Sequence, residues 1–270
     1  MFVGWIRPDL KEDIMQLSKE VVCDHYSCLQ TYISNKSLCF GIYDELKLVG
    51  FISAFENEKS IMINNFCYTK DIDDAIKMRL IKLLLHNTGF KQKPVFILTN
   101  EHEKELFSQT DFEEYTSFYQ AIHQGGKAAF NFSQAAAKSI SGENYLGIAN
   151  QLDIKAFGEH RSHYMTDITQ RPSSLPLCTS NGYLHSYALG KTHIKIAPWI
   201  MKTSAYSDAE KLLRGVLYHR GLKKIIAFIP TAVKEITDLY ESYKFEFQKT
   251  YHLMYLHRPP ILNLEMIYAF

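Results

Sequence analysis

The residues best placed for chemistry lie at the start of a predicted helix in the second half of the chain. Ser207 and Glu210 have the S-x-x-E spacing of a capping box, which marks a helix N-terminus. Free N–H groups and the positive end of the helix dipole favour an anion there. Lys202, Lys211 and Arg214 add positive charge nearby. The segment therefore predicts either a phosphate site or a solvated cationic helix face.

Other clusters of candidate ligands are weaker. Cys23, His25 and Cys28 can approach one another on a helix, but the sequence offers no second cluster to complete a zinc site. His160 and His163 are three residues apart and are more typical of surface or core histidines than of ligands. We therefore expect no metal. The sequence also lacks a G-x-S-x-G elbow, a Walker loop and a dinucleotide fingerprint.

Composition limits the class of protein. The 270 residues are 46% hydrophobic and 22% charged, with 30 Lys+Arg against 29 Asp+Glu. This composition is typical of a soluble globular protein and argues against a disordered chain or a dedicated nucleic-acid binder. Five cysteines without zinc-like pairing, and a start without a basic and apolar leader, predict a reduced, cytoplasmic protein. No apolar run approaches the roughly 20 residues that cross a bilayer, so we expect no membrane partner.

The near-neutral total conceals two halves of opposite charge. Residues 1–124 contain 13 Lys+Arg and 18 Asp+Glu, a balance of −5, whereas residues 125–270 contain 17 and 11, a balance of +6. The difference indicates either two different ligands or a drift of charge on solvated faces.

Hydrophobic periodicity and turn signals predict the elements that must position these residues. The first half has a short strand, two helices, three antiparallel strands, a helix, a buried strand, a short helix and a final strand or hairpin. The predicted ranges are 4–7, 8–19, 24–33, 38–43, 46–55, 60–68, 72–86, 95–98, 100–108 and 111–122. A segment rich in Gly, Ala and Ser follows and is the best linker candidate.

The second half repeats much of this order. Two helices, three strands, a helix, a buried strand, another helix and a hairpin are predicted at 145–156, 160–169, 175–179, 183–189, 194–200, 208–220, 224–229, 232–243 and 245–256. A repeated order predicts two similar α/β (α+β) domains. We expect them at residues 1–124 and 143–270, joined by a linker at 125–142.

The repeated order resembles the GCN5-related N-acetyltransferase (GNAT) superfamily, whose members carry a run that reads roughly N-x-x-A-x-x-L-Y-x-x-x-G-F. The first half matches this run at Asn100, Leu106 and Phe112, and the second half matches it at Leu239, Tyr240 and Phe245. Residues 152–162 resemble the D-x-x-x-F-G-x-x-R segment of certain tandem GNAT proteins, and residues 196–199 resemble their I-G-P-W strand.

The resemblance implies two GNAT-like domains, each with a mixed, mostly antiparallel sheet and a splayed pair formed by its fourth and fifth strands. Acetyl-CoA would lie in the V-shaped gap between the two strands, with its pantetheine paired like an added strand and its pyrophosphate on the next helix. The positions that the family uses for this cosubstrate fall in both halves. They are Phe66, Tyr68 and Asn100 in the first half, and Ala197, Trp199, Lys202, Ser204, Ser207 and Ala209 in the second.

Both halves depart from the family pattern, because neither has its Q/R-x-x-G-x-G/A phosphate loop. In the first half Asp71, Asp73 and Asp74 occupy that place, where they would cap a helix and repel a pyrophosphate. Phe107 stands where the family often has a tyrosine that protonates the departing thiolate. In the second half Tyr240 occupies this general-acid position, although it also fits a tyrosine packed on an apolar helix face.

The resemblance implies transfer of an acetyl group from acetyl-CoA to the amine of a small molecule or peptide. Glu56 and Glu58 are candidate general bases, or else solvated loop charges. The alternative is a non-catalytic binding or scaffolding protein that has lost the phosphate loop. The sequence leaves open which half would bind CoA, and we expect a monomer or a weak dimer.

Overall fold

A computed structural model describes residues 1–21, 24–88, 93–126, 138–139 and 143–270. They form two compact units. Unit 1 contains Met1–Tyr115, Ser162–Asp167 and His252–Pro260, and unit 2 contains Thr116–Arg161, Ile168–Tyr251 and Ile261–Phe270. Most of the predicted linker lies outside the described residues, and the domain boundaries at 124 and 143 stay predictions.

Unit 1 is built on antiparallel strands that end in one parallel pair. Its strands β1 to β4 are neighbours in chain order, and β4 pairs in parallel with β5. The elements are β1 (Phe2–Trp5), α1 (Leu10–Glu20), α2 (His25–Ser34), β2 (Cys39–Asp44), β3 (Lys47–Glu56), β4 (Ile61–Tyr68), α3 (Asp74–Thr88), β5 (Val95–Asn100), α4 (Glu101–Ser108) and the first residues of β6 (Glu113–His123).

Alternation along the strands of unit 1 sends side chains to two apolar clusters. Phe66 and Tyr68 of β4 join the cluster that α3 and α4 cover, which contains Leu80, Leu84 and Phe107. The neighbouring residue Cys67 instead joins the cluster with Ile14, Leu17 and Cys28 of α1 and α2. This period of two is the signal that predicted the strand from sequence.

Unit 2 repeats the arrangement, with β11 between β6 and β10 and with β9, β8 and β7 following in order. The β10 and β11 pair is parallel and β6 is antiparallel to β11. The elements are β7 (Lys138–Ser139), α5 (Glu143–Phe157), β8 (Leu175–Thr179), β9 (Gly182–Leu189), β10 (His193–Met201), α7 (Tyr206–Arg220), β11 (Lys224–Pro230), α8 (Lys234–Ser242), β12 (Glu246–Leu256) and β13 (Ile267–Ala269). The helix α6 (Ser162–Gln170) is divided, because its residues Ser162–Asp167 belong to unit 1.

These elements confirm the α/β class and the mixed, mostly antiparallel sheets. Two features differ from the sequence prediction. The predicted hairpin at 245–256 is wrong, because this segment is the single strand β12, whose residues from His252 onward belong to unit 1. In addition, β13 lies beyond the last predicted element.

A buried ion pair braces unit 2 at the segment that carries the D-x-x-x-F-G-x-x-R pattern. The Arg161 guanidinium donates from Nη2 to Asp153 Oδ1 at 2.6 Å and from Nε to Oδ2 at 2.9 Å. Tyr183 donates to the same carboxylate at 2.8 Å, and Phe157 lies against the guanidinium. Both charged side chains are 2% exposed, so the motif serves the fold by holding α5 to β9.

Candidate active site

In unit 1 the parallel pairing of β4 with β5 covers three positions and ends at Ile63 and Ile97. Both strands continue beyond this point, to Tyr68 and Asn100. We call the space that begins here the first gap. It has the geometry of a splayed parallel pair, in which the facing edges of two strands are not paired with each other.

A bulge in β4 marks the start of the first gap. The register against β3 moves from Ala54 opposite Ile63 to Ser53 opposite Asn65, which leaves Asn64 as an extra residue. Such a bulge bends its strand and redirects side chains. Here the Asn64 amide donates to Thr31 Oγ1 of α2 at 2.7 Å, so the side chain ties the bulge to this helix.

The same amide network includes Asn65, the residue that follows the bulge. Asn64 Nδ2 also donates to Ser27 Oγ at 2.9 Å, and Asn65 Nδ2 donates to Ser53 Oγ at 2.9 Å. The groups are uncharged and mostly buried. Because buried amides and hydroxyls need partners, this network fixes the bulge in one position.

The open end of the first gap brings together the three cosubstrate residues predicted in the first half. Asn100 Oδ1 accepts from the Glu103 backbone N–H at 3.1 Å and so caps α4. Tyr68 donates its phenol proton to Glu103 Oε1 at 3.2 Å. The Phe66 ring packs on Phe107 with centroids 5.4 Å apart. Sequence reasoning missed Glu103, although it stands at the alanine of the family run.

The Glu103 carboxylate joins the ends of the two diverging strands. It accepts from Tyr68 of β4 and, at Oε2, from Thr99 Oγ1 of β5 at 2.8 Å. Burial raises the pKa of Glu103, and these two hydrogen bonds partly offset that rise. Burial and the nearby carboxylate raise the pKa of Tyr68. Lys77 lies 4.4 Å from the Tyr68 ring centroid and pairs with Asp74 at 2.8 Å.

The N-terminus of α3 carries the carboxylates that the sequence placed there. Asp73 Oδ1 accepts from the Ala75 backbone N–H at 2.9 Å, which confirms the predicted capping role. Asp71 and Asp74 are exposed beside it. Because these carboxylates repel another anion, the N-terminus of α3 is unfavourable for binding a pyrophosphate.

The structure does not bring the candidate bases to the first gap. Glu56 lies opposite Ile61, at the end of β4 away from the gap, and its carboxylate pairs with Lys93 Nζ at 3.0 Å. At about 3.3 Å per residue, this position is roughly 10 Å along the strand from the bulge at Asn64. Glu58 is exposed in the loop between β3 and β4. Their placement argues against the roles assigned from sequence.

Unit 2 has an equivalent gap, but the chain itself enters it. The parallel pairing of β10 with β11 ends at Ile196 and Ala227. Beyond that point β13 pairs antiparallel with β10 at Trp199 and Ile200. We call this space the second gap.

The chain also bonds to β11 just after β13. The Phe270 backbone N–H donates to the Phe228 carbonyl of β11 at 2.9 Å. Ile267, Tyr268 and Ala269 are each at most 1% exposed. A peptide strand of this chain therefore occupies the place that the resemblance assigns to pantetheine.

The second gap also contains the predicted general acid. Tyr240 is fully buried, and its phenol donates to the Tyr268 carbonyl at 3.1 Å. Its ring packs against Trp199 and Phe245, and burial raises its pKa strongly. Ala197 and Trp199, predicted to contact the cosubstrate, are fully buried in the same strand. This environment fits a tyrosine that supports β13.

The helix start after β10 differs from its prediction. The capping box is wrong, because α7 begins at Tyr206 with Ala205 at the N-cap and no side-chain cap bond. Ser207 lies inside the first turn, and Glu210 accepts from the Tyr243 phenol at 2.5 Å.

The predicted phosphate contacts near α7 are engaged within unit 2. Lys202 Nζ donates to the Ser180 carbonyl at 3.1 Å and to Asn181 Oδ1 at 3.2 Å. The first turn holds Asp208, which pairs with Lys211 at 2.8 Å. Ser204 precedes the helix with φ of 63°, whereas Ala209 is buried in the core.

Replacing Tyr240 by Phe should lower the free energy of unfolding by about 1–2 kcal/mol, because the buried Tyr268 carbonyl loses its donor. Acyl transfer should stay within twofold of the wild type if the first gap is the active site. Denaturant unfolding and release of CoA from acetyl-CoA measure the two effects. A hundredfold loss of turnover with unchanged stability would instead restore Tyr240 as the general acid.

The described part of the chain offers no group of three His, Cys, Asp or Glu side chains able to hold a metal ion. Cys23 lies outside it, while Cys28 is buried. His160 and His163 are exposed. Within the same residues, no helix is both long and apolar enough to span a bilayer.

Comparison with known proteins agrees with this geometry. Residues 149–269 match the family model described as acetyltransferase (GNAT) domain. No curated sequence matches the chain significantly. Among solved structures, a candidate acetyltransferase from Pyrococcus horikoshii has a TM-score of 0.80 at 17% identity and covers 99% of this chain and 93% of its own.

Two further structures share the fold at lower identity. A tandem GNAT protein from the clavulanic acid biosynthesis pathway has a TM-score of 0.61 at 9% identity, covering 96% of this chain and 99% of its own. Saccharomyces cerevisiae N-myristoyltransferase with bound myristoyl-CoA has a TM-score of 0.63 at 11% identity, covering 94% and 78%. Residues 149–269 are therefore similar to the GNAT acetyltransferase domain, and the chain has the fold of a tandem GNAT protein.

Proposed function

We propose that this protein is an N-acyltransferase that moves an acyl group from a CoA thioester to an amine, with its active site in the first gap. The observation that carries this assignment is the difference between the two gaps. β13 lies in the second gap, whereas the edges of β4 and β5 end their mutual pairing at Ile63 and Ile97. Residues 149–269, most of which lie in unit 2, match the acetyltransferase domain, and this match supports the reaction class but not the choice of gap.

In this proposal the pantetheine of the cosubstrate adds to β4 along residues 64–68, as an extended peptide adds to a sheet edge. Phe66 and Tyr68 line its path, and Asn100 lies at the facing end of β5. The amine must be neutral to attack the thioester carbonyl, and backbone donors must stabilise the oxyanion that forms.

Acetyl-CoA is the proposed acyl donor, and the acceptor is the amine of a small molecule or peptide. Because one structure with this fold binds myristoyl-CoA, donors of different chain length should be compared. Calorimetric titration with CoA, acetyl-CoA and myristoyl-CoA tests the proposal directly. If none of them binds at millimolar concentration, the enzyme proposal fails and the non-catalytic alternative takes its place.

Charge reversal at the α3 terminus should strengthen binding of acetyl-CoA. Asp71 is exposed, and Asp73 provides the helix cap, so Asp71→Lys changes the field without removing the cap. We expect affinity to increase about fivefold at low salt, on the order of 1 kcal/mol for surface charges, and the gain to shrink at 0.5 M salt.

Two matched variants locate the site. Glu12→Lys makes the same charge change at an exposed position of α1 and should leave the affinity within twofold. Lys202→Glu, beside the second gap, should also have little effect. Weakened binding by Lys202→Glu together with no response to Asp71→Lys would move the cosubstrate to unit 2.

A further inference from the structure

A buried histidine of β12 lies between two carboxylates of unit 1. His252 is 7% exposed. Its Nε2 lies 2.6 Å from Oε2 of Glu101, in the first turn of α4, and its Nδ1 lies 2.7 Å from Oε1 of Glu114 on β6. All three residues belong to unit 1. The ring therefore connects the start of α4 to β6.

The two hydrogen bonds together require a protonated ring. An ionised carboxylate only accepts hydrogen bonds, and a neutral imidazole has a single N–H to donate. The pKa of Glu114 is held below its usual value, because Lys104 and His252 donate to it. The Glu101 side chain is 76% exposed to water. Both contacts can therefore be hydrogen bonds only while His252 is an imidazolium.

A second cation faces the same carboxylates from α4. Lys104 Nζ pairs with Glu114 Oε2 at 2.7 Å, so each oxygen of this carboxylate contacts a basic side chain. The pKa of Lys104 is raised by its hydrogen bond with Glu114 and further by the charge of Glu101. The cluster thus contains two carboxylates, one lysine and one histidine.

The neighbouring titratable side chains interact elsewhere. None of the six residues Val95–Asn100 of β5, the strand beside β12 in the sheet, is titratable. The others lie beside Glu114 or in the first turn of α4: Glu113 accepts from Tyr255, Glu103 accepts from Tyr68 and Thr99, and His102 interacts with Asp74. Because imidazole changes its charge near neutral pH, the proton of His252 is the variable charge of the cluster.

The helix that this cluster holds begins at the open end of the first gap. α4 has eight residues, and so short a helix is only marginally stable by itself. Asn100 caps it from the end of β5, and Glu103 connects it to both diverging strands. Glu101 lies between these two residues. Its bond to His252 therefore helps to fix Asn100 and Glu103 at the first gap.

We propose that His252 is a positioning residue for the first gap, which in its protonated form ties the first turn of α4 to β6 and so favours binding of the acyl-CoA cosubstrate. The proposal rests on the proposed function, since it requires the cosubstrate to bind in the first gap. In a neutral ring one N–H can still donate to Glu114, but the lone pair of the other nitrogen faces the Glu101 carboxylate. Two acceptors repel each other, so the exposed Glu101 turns to water and α4 loses this contact.

The sign of the pH dependence follows from this contact. A contact that requires the imidazolium stabilises the fold at low pH and is lost as the pH rises through neutrality. Fewer molecules then have the start of α4 in place. Since the apparent affinity of a ligand falls with the fraction of binding-competent protein, acetyl-CoA should bind more weakly at high pH.

The test compares Glu101→Gln with Glu105→Gln. Glu101 is exposed, so its replacement should not prevent folding, and the new amide can donate to a neutral ring. This variant therefore no longer needs the His252 proton. Glu105→Gln makes the same charge change at another exposed position of α4. Calorimetric titration with acetyl-CoA and denaturant unfolding are carried out at pH 6.0, 7.0 and 8.5 on both variants and the wild type.

From pH 6.0 to 8.5 the wild type and Glu105→Gln should lose about threefold more affinity for acetyl-CoA than Glu101→Gln loses. Their stability should also fall relative to that of Glu101→Gln. The comparison between variants removes any pH dependence that they share, such as that of the cosubstrate phosphates.

Three results would overturn the inference while the proposed function stands. The first is an affinity profile of Glu101→Gln that equals the wild-type profile, and the second is a Glu105→Gln profile that matches Glu101→Gln. The third is a relative loss of stability without the relative loss of affinity, which would make His252 a structural residue. Failure of the wild type to bind acetyl-CoA at millimolar concentration at any of the three pH values overturns the proposed function itself, and the positioning role with it.

Discussion

Replacing Arg161 by Met should lower the free energy of unfolding by about 3–5 kcal/mol, because it leaves the Asp153 carboxylate buried without its cation. The carboxylate is 2% exposed and forms two hydrogen bonds with the guanidinium, at 2.6 and 2.9 Å. The hydrogen bond from the Tyr183 hydroxyl, at 2.8 Å, would remain on this carboxylate. Denaturant unfolding followed by circular dichroism measures the loss.

Two controls show whether the lost charge or the lost packing is responsible. Arg161→Met/Asp153→Leu removes both charges and should be more stable than Arg161→Met alone, since the uncompensated carboxylate is gone. Lys211→Met breaks a partly exposed pair with Asp208 and should cost less than about 1 kcal/mol. Equal losses for the single and the double variant at the buried pair would show that packing dominates.

The regular elements were accessible to sequence reasoning because their periodicity is local. The alternating run at 60–68 becomes β4 (Ile61–Tyr68), and the apolar stripe at 72–86 becomes α3 (Asp74–Thr88). Both periodic patterns arise because one face of the strand or helix is buried. The pattern is therefore visible within each segment without knowledge of its partners.

Long-range pairing limits what the sequence can predict. β13 has three residues, too few for a periodic signal, and its place is set by β10 and by the Phe228 carbonyl. Similarly, residues 245–256 were predicted to be a hairpin, whereas they form the single strand β12, whose two ends belong to different units. In both cases the partner strand determines the structure.

The candidate site shows the same limit. Phe66, Tyr68 and Asn100 were found through a family pattern, and the fold brings them to one gap. Glu103 was missed because the family run has an alanine at this position. The sequence alone does show that a carboxylate replaces this alanine. Its significance depends on Tyr68, which lies 35 residues away in the chain.

The two gaps also clarify the charge difference between the halves. The cationic residues near α7 suggested a phosphate site, but the second gap beside them holds β13. The acidic α3 terminus lies beside the first gap, where we place the cosubstrate. Positive charge in the second half is therefore weak evidence for CoA binding, because strand pairing decides whether pantetheine can enter.

Replacing Ile267 by Ala in β13 should lower the free energy of unfolding by about 2–5 kcal/mol, because a fully buried aliphatic side chain is removed from the second gap. If β13 is a permanent part of unit 2, the variant should still bind one acetyl-CoA per chain with unchanged affinity. Unfolding measurements and calorimetric stoichiometry report the two quantities independently.

Ile261→Ala is the matched control, since it removes the same atoms from a side chain that is 80% exposed and precedes β13. It should change the unfolding free energy by less than about 0.5 kcal/mol. A second equivalent of acetyl-CoA bound by Ile267→Ala would mean that β13 competes with a functional site in unit 2. Loss of stability without binding of a second acetyl-CoA would instead show that β13 in the second gap has a structural role. The first gap would then remain the candidate active site.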